Sequence, residues 1–233
     1  MVRLDTDGPV AVLWLGAGDN RLGPDVVAEV NDLLDVVQVG PFGALVTAAE
    51  GKVWSNGLDT AWFAAHLDEV GPALQAVEQL FARLLVFPLP TVAALQGHTF
   101  AGGAMFALCH DLRVMRADRG FFCLPEIDLG VAFTPGMTAL LTSRLGPQTA
   151  HVAMTLAQRF AGPDALAAGI VDELADGDTV VGRAVAIAAT LAGKDQRTLA
   201  AVKRALYPDA LAKLGLEPGP ETVASLRALA ALG

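Results

Sequence analysis

Short apolar runs rich in β-formers alternate with helical stripes along the first three-quarters of this chain, and that rhythm restricts the fold more than any other feature. Val10–Leu15 (VAVLWL), Ala44–Ala48 (ALVTA) and Thr91–Leu95 (TVAAL) are apolar at nearly every position. Runs this short without alternation read as strands buried on both faces. Between the first two, Pro24–Val39 carries apolar residues at Val26, Val27, Val30, Leu33, Leu34 and Val37. That spacing is a helical stripe, with Pro24 suited to the first turn. Leu74, Val77, Leu80, Phe81, Leu84 and Leu85 form a second stripe that ends before Pro88 and Pro90. Ala101–Cys109 reads as a small-residue helix and Leu112–Met115 as another strand. Strand and helix in this order imply right-handed crossovers and a mostly parallel sheet, an α/β fold. Gly162-Pro163-Asp164 marks a later helix start and Gly169 its stop, with Ile170–Leu174 (IVDEL) as a short strand behind it. From about Val180 only helical patterns follow. Residues 1–178 are therefore read as the core with the active site, and 179–233 as a helical C-terminal segment.

Composition narrows the class. The chain is 53% hydrophobic and 18% charged, with a mean hydropathy of +0.47, yet no run approaches the roughly 20 apolar residues of a membrane span. Asp5 and Asp7 stand where a signal peptide would need an apolar block, so a cytoplasmic protein is expected. The apolar surplus points to surface buried between subunits. A net charge of −9 without a Lys/Arg cluster argues against nucleic-acid binding. Cys109 and Cys123 lie in apolar context outside any CxxC spacing and read as buried free thiols. The four histidines lack ligand spacing, so no metal is expected.

Three segments carry chemistry. SNGLD (Ser55–Asp59) and QGHTFAGGA (Gln96–Ala104) each follow a strand-like run and precede a helical pattern. Glycine permits a tight turn, and a helix start leaves N–H groups without intrahelical partners. Downstream, Glu126 sits in LPEIDLGVAFTPG. Two such turns beside one carboxylate outline a site that removes a proton next to a carbonyl.

These segments resemble the crotonase (enoyl-CoA hydratase/isomerase) superfamily over nearly the whole chain. KVWSNGLD is similar to the family's first oxyanion segment, whose donor falls on Leu58. AALQGHTFAGGAMFALCHDLRVM is similar to the second, whose donor falls on Gly102. FFCLPEIDLGVAFTPGM bears the family's second acid/base glutamate at Glu126, and FAGPDALAAGIVDEL resembles a later helix and strand. The resemblance implies a ββα spiral core, a helical C-terminal trimerisation segment, and a homotrimer or dimer of trimers. It further implies an acyl-CoA substrate, with coenzyme A as part of that substrate and no separate cofactor. Asn20-Arg21-Leu22 resembles a segment whose backbone helps bind the CoA adenine, and Gly57 is grouped with it. Arg21 either pairs with a CoA phosphate or is simply solvated.

One departure selects among activities. Family hydratases carry a first glutamate where this chain has Met105. Hydration needs water held at one carbon while another is protonated, a task usually shared by two carboxylates. One carboxylate is enough to move a double bond, and the details resemble the plant peroxisomal Δ3,Δ2-enoyl-CoA isomerases. The alternatives are a hydratase, dehydratase, decarboxylase or thioester hydrolase, or a non-catalytic binding protein. A peptidase of related fold would need a serine within Ala101–Met105, which has none. Phe121, Phe122, Leu124, Ile127 and Phe133 are expected to desolvate Glu126 and raise its basicity. Asp128 is a reserve acid. Asp59 reads as a helix cap rather than a catalyst, and His98 as a turn residue satisfying backbone groups. Trp62 and Phe63 line an acyl pocket or pack the core. His110 and Asp111 read as structural, His66 and His151 as ordinary surface or helix residues.

Overall fold

In the computed structural model, which describes residues 2–230, the apolar runs assemble into two sheets wound in one spiral. Strands β1 (Arg3–Asp7) and β2 (Val10–Trp14) form a hairpin, and α1 (Pro24–Val39) leads into the first full turn. That turn contains β3 (Ala44–Ala48), β4 (Val53–Ser55), α2 (Thr60–Ala65) and α3 (Val70–Leu85). The second contains β5 (Thr91–Leu95), β6 (His98–Phe100) and α4 (Gly102–Leu108). The third contains β7 (Leu112–Arg116), β8 (Phe122–Cys123) and α5 (Pro135–Arg144). After α6 (Pro147–Leu156) and α7 (Gly162–Ala167), β9 (Glu173–Ala175) closes the sheet. The chain ends in α8 (Val180–Leu191), α9 (Gln196–Leu206), α10 (Pro208–Lys213) and α11 (Pro220–Ala230).

Each turn gives its first strand to a six-stranded sheet, β1-β2-β3-β5-β7-β9, and its second to a three-stranded sheet, β4-β6-β8. Every pairing is parallel except β1 with β2. The unbroken apolar character of the strands has a packing cause. Val10, Val12, Ala44, Val46, Val92 and Ala94 meet Val180, Ala184 and Ala188 of α8 on one face. Ala11, Leu13, Leu45, Ala93 and Leu95 face the main core with α1, α3 and α4 on the other. Sheets covered on both faces need apolar residues at consecutive positions.

The structure departs from the sequence reading behind Gly169. The strand there spans Glu173–Ala175, because the Ile170 and Val171 N–H groups still donate to the Ala165 carbonyl (2.8 and 3.3 Å) and finish the preceding helix. Strand β1 has no apolar signature, since RLDTD is an edge with mostly exposed side chains.

Helix α4 is buried at every position, and its small residues let another element touch it. A Cβ on Gly103 would lie 2.6 Å from Ser55 Cβ, so only glycine lets β4 and α4 approach this closely. That approach is what places the two glycine-bearing loops side by side. At the far end, Lys203 ties α9 down: its ammonium donates to the Phe87 and Leu89 carbonyls (3.0 Å each) and to the Asp111 carboxylate (2.7 Å). Among the described residues, no helix is long and apolar enough to cross a membrane.

Candidate active site

The first loop is held by a second one running alongside it. Asn20 adopts a left-handed conformation (φ 49°), and its side-chain amide donates to the carbonyls of Gly16, Val53 and Trp54 (3.3, 3.2 and 3.0 Å). The Ser55 hydroxyl donates to the Asn20 carbonyl (2.7 Å) and accepts the Gly57 N–H (3.2 Å). The Leu22 N–H donates to the Gly57 carbonyl (2.7 Å), and the Asp59 N–H to the Leu22 carbonyl (3.4 Å). These bonds consume the polar groups around Leu58 and leave its own N–H without a protein acceptor among the described residues. Gly57 has a φ of 82°, which a side chain would strain.

The second loop enters α4 through Ala101, a non-glycine residue at φ 53°, ψ −128°. Backbone held in so sparse a region persists only where the surroundings enforce it. Here the Ala101 N–H donates to the Cys123 carbonyl (3.0 Å), pinning the residue against β8. Gly102 follows as the first helical residue, and its N–H also lacks a protein acceptor among the described residues. The two free amides are neighbours. A Cβ on Gly57 would sit 2.7 Å from Gly102 N, and one on Gly102 would sit 3.5 Å from Leu58 N.

Both loops open onto a cavity of about 720 Å³. Glu126 lines it from the loop after β8, where the Val131 N–H donates to the Glu126 carbonyl (2.9 Å) and closes a tight turn. The side chain is only 6% exposed, and Oε2 has no hydrogen-bond partner among the described residues. Burial pushes its pKa up to about 7, opposed weakly by a bond from its own backbone N–H. A buried carboxyl with one oxygen unpartnered and its pKa raised toward neutrality is poised to exchange a proton. It is the one carboxylate among the described residues lining the cavity, and Met105 lines the same space.

Residues 11–215 match the enoyl-CoA hydratase/isomerase family. The chain belongs to that family. It is 34% identical to the protein named enoyl-CoA delta isomerase 2, peroxisomal, of Arabidopsis thaliana, over 93% of this chain and 96% of that one. Enoyl-CoA delta isomerase 3 of the same plant is 34% identical over 90% of this chain and 93% of its own. Among solved structures, an apo enoyl-CoA isomerase from Mycobacterium tuberculosis superposes with a TM-score of 0.85 at 31% identity, covering 99% of this chain and 97% of the other. An enoyl-CoA hydratase of Mycobacterium marinum superposes equally well, with a TM-score of 0.85 at 29% identity, over 97% and 98% of the two chains. The fold is thus the crotonase-type spiral, and the family is one of enzymes acting on enoyl-CoA.

Within this crotonase-family site the structure brings Leu58, Gly102, Glu126 and Arg21 together around one cavity. Asn20 and Leu22 stand behind it: Asn20 ties three carbonyls, and Leu22 is fully buried with its backbone groups spent on Gly57 and Asp59. Of that trio, Arg21 is the member that lines the cavity. Arg21 donates to the Leu58 carbonyl (3.4 Å) and pairs with Asp19 (3.1 Å). Asp59 caps α2 by accepting the Trp62 N–H (3.1 Å). Asp128 is exposed and does not line the cavity. His98 lies in strand β6 rather than in a turn, with its ring against Phe100 and Phe121. Phe63 is core, and Trp62 stacks on His66, so neither lines the pocket. His110 is buried between the Phe106 carbonyl (3.1 Å) and the Thr47 hydroxyl (2.8 Å), and burial lowers its pKa to about 3. Cys109 and Cys123 are buried free thiols.

The cavity that Glu126 faces is lined by other apolar residues than the sequence neighbours expected to desolvate it, of which Phe122 and Leu124 are fully buried. Phe121 and Ile127 are exposed, at 36% and 55%, and none of Phe121, Phe122, Leu124, Ile127 and Phe133 lines the cavity. Leu74, Phe100, Met105 and Met137 do, together with Leu226 and Leu229 of α11. The α11 contribution has a sequence signal of its own, since Thr222, Leu226 and Leu229 follow the helical spacing of a single face.

Proposed function

We propose that this protein is a Δ3,Δ2-enoyl-CoA isomerase that uses Glu126 as its single proton carrier. The carrying observation is one buried carboxyl, its Oε2 without a partner among the described residues, facing a cavity into which two neighbouring free amides open, with Met105 where hydratases of the family bear their first glutamate. In this reading the thioester oxygen accepts from Leu58 N–H and Gly102 N–H. Glu126 takes a proton from C2 as the C–H bond breaks, and the electron pair spreads over a dienolate. The same carboxyl returns the proton at C4, leaving the double bond between C2 and C3. Each amide donor is expected to supply about 2.7–4 kcal/mol of transition-state stabilisation. The similarity to the plant proteins named delta isomerases supports this branch over hydration. Arg21, beside the Leu58 loop, is the residue suited to a CoA phosphate. A homotrimer or dimer of trimers belongs to the same reading, supported by exposed apolar side chains such as Val39 (86%) and Leu156 (66%).

Incubation of purified protein with 3-hexenoyl-CoA and separately with crotonyl-CoA tests the proposal. Rapid conversion of the first to trans-2-hexenoyl-CoA with negligible hydration of the second is expected. Comparable hydration of crotonyl-CoA would overturn it in favour of a hydratase.

A further inference from the structure

The main cavity shares lining residues with a second space. An open groove of about 600 Å³ runs between α5, the α10–α11 connection and the loop after Glu126, and it shares Ala132 and Thr222 with the main cavity. Phe133, Pro135 and Ala139 give the groove apolar surface. Its rim carries Glu221 together with Lys213 and Asp209, the last two joined as an ion pair (2.8 Å). The shared residues are tied through their backbone. The Ala132 N–H donates to Ser225 Oγ (3.3 Å), whose hydroxyl donates to the Thr222 carbonyl (2.9 Å). Neither bond uses the side chain of Ala132 or of Thr222, so a methyl group and a threonine are all that these two residues place between the two spaces.

Resting on the acyl-CoA reading above, we propose that the tail of a long acyl chain passes between Ala132 and Thr222 into the outer groove. These two side chains then set the upper limit of acyl length. Each methylene sheltered from water strengthens binding by about fourfold, so a few methylenes in the groove produce a measurable preference for long chains.

Calorimetric binding of saturated hexanoyl-CoA and dodecanoyl-CoA tests the passage without requiring turnover. The wild type is expected to bind the longer chain at least about tenfold more tightly. Ala132→Leu adds bulk at the proposed passage and should lower that ratio about tenfold, whereas Thr222→Ala should leave it equal or raise it. Ala132 is exposed, so leucine there does not threaten the core; near-ultraviolet circular dichroism checks that the variant is folded. A wild type without chain-length preference, an unchanged ratio in Ala132→Leu, or a fall in Thr222→Ala would overturn the passage. Length-dependent binding without double-bond transfer sinks the isomerase reading alone, while transfer with an unaltered ratio sinks the passage alone.

Discussion

Glu126 has a folded-state pKa of about 7 against a reference of 4.5, and desolvation is the main cause. As a base it must be ionised, so kcat/KM is expected to fall tenfold per pH unit below about 7, with a single titration. The sign of the stability effect is opposite. Between about pH 4.5 and 7 the unfolded chain binds fewer protons at this position than the native one, so stability falls as pH rises through that window. Glu126→Gln removes the ionisation and should be stabilising above pH 7 by up to about 3 kcal/mol, read by urea denaturation. The same variant should lose at least about 10²–10⁴-fold in isomerisation. Gly57→Ala tests the amides instead. Its methyl would lie 2.7 Å from Gly102 N, where the substrate oxygen is expected. A loss of about 10²–10³ in kcat with Glu126 titrating as before is the expected outcome; full activity would remove Gly102 from the proposed site.

At the scale of elements, the wall of the cavity depends on how α11 is tethered. Glu78 of α3 is buried and accepts the Thr134 hydroxyl at the N-cap of α5 and the Gly215 N–H (3.0 Å) between α10 and α11. Gln75, one helical turn earlier, donates to the Gly215 carbonyl (2.7 Å). One carboxylate thus joins α3, α5 and the connection that delivers Thr222, Leu226 and Leu229. Burial raises its pKa, and the two donors oppose that rise. Glu78→Ala leaves the buried Thr134 hydroxyl and the half-buried Gly215 N–H without this acceptor and is expected to cost about 2–4 kcal/mol of stability. Acyl-CoA affinity should weaken as well, because α11 loses its hinge anchor. Affinity equal to wild type in the folded variant would show that α11 is held elsewhere, through the Arg227 bond to the Leu67 carbonyl (3.0 Å).

Over the whole molecule, helices from the end of the chain complete cores begun near its start. Helix α8 covers the outer face of the larger sheet, and Lys203 joins α9 to the turn before β5 and to Asp111 before β7. Lys203 is 3% exposed, so its charge is compensated by Asp111 and two carbonyls rather than by water. Lys203→Met leaves the Asp111 carboxylate short of a partner and is expected to cost about 3–5 kcal/mol. The exposed Arg3–Glu50 pair (2.9 Å) is the contrast: Arg3→Ala should change stability by less than about 1 kcal/mol. Equal losses in the two variants, compared by chemical denaturation, would mean that burial does not set the weight of these ion pairs.

Local physics determines much of this protein without reference to any tertiary contact. The runs at Ala44–Ala48 and Thr91–Leu95 and the stripe at Pro24–Val39 form the elements their periodicity indicates, because two-face burial and helical amphipathicity are written in neighbouring residues. The two glycine-bearing turns and Glu126 were legible for the same reason, since tight backbone and a lone acid are local features. Strands β4, β6 and β8, of two or three residues, are too short to carry a period. Tertiary structure alone decided what surrounds the acid. Phe121 and Ile127 are its neighbours in sequence yet point outward, while Leu226 and Leu229 reach its cavity from about a hundred positions away. It also decided that the Asn20 side-chain amide is spent on the carbonyls of Gly16, Val53 and Trp54. Burial sums contributions from every element that packs on a point in space, and spacing along the chain records only which face an element offers, not what comes to cover it.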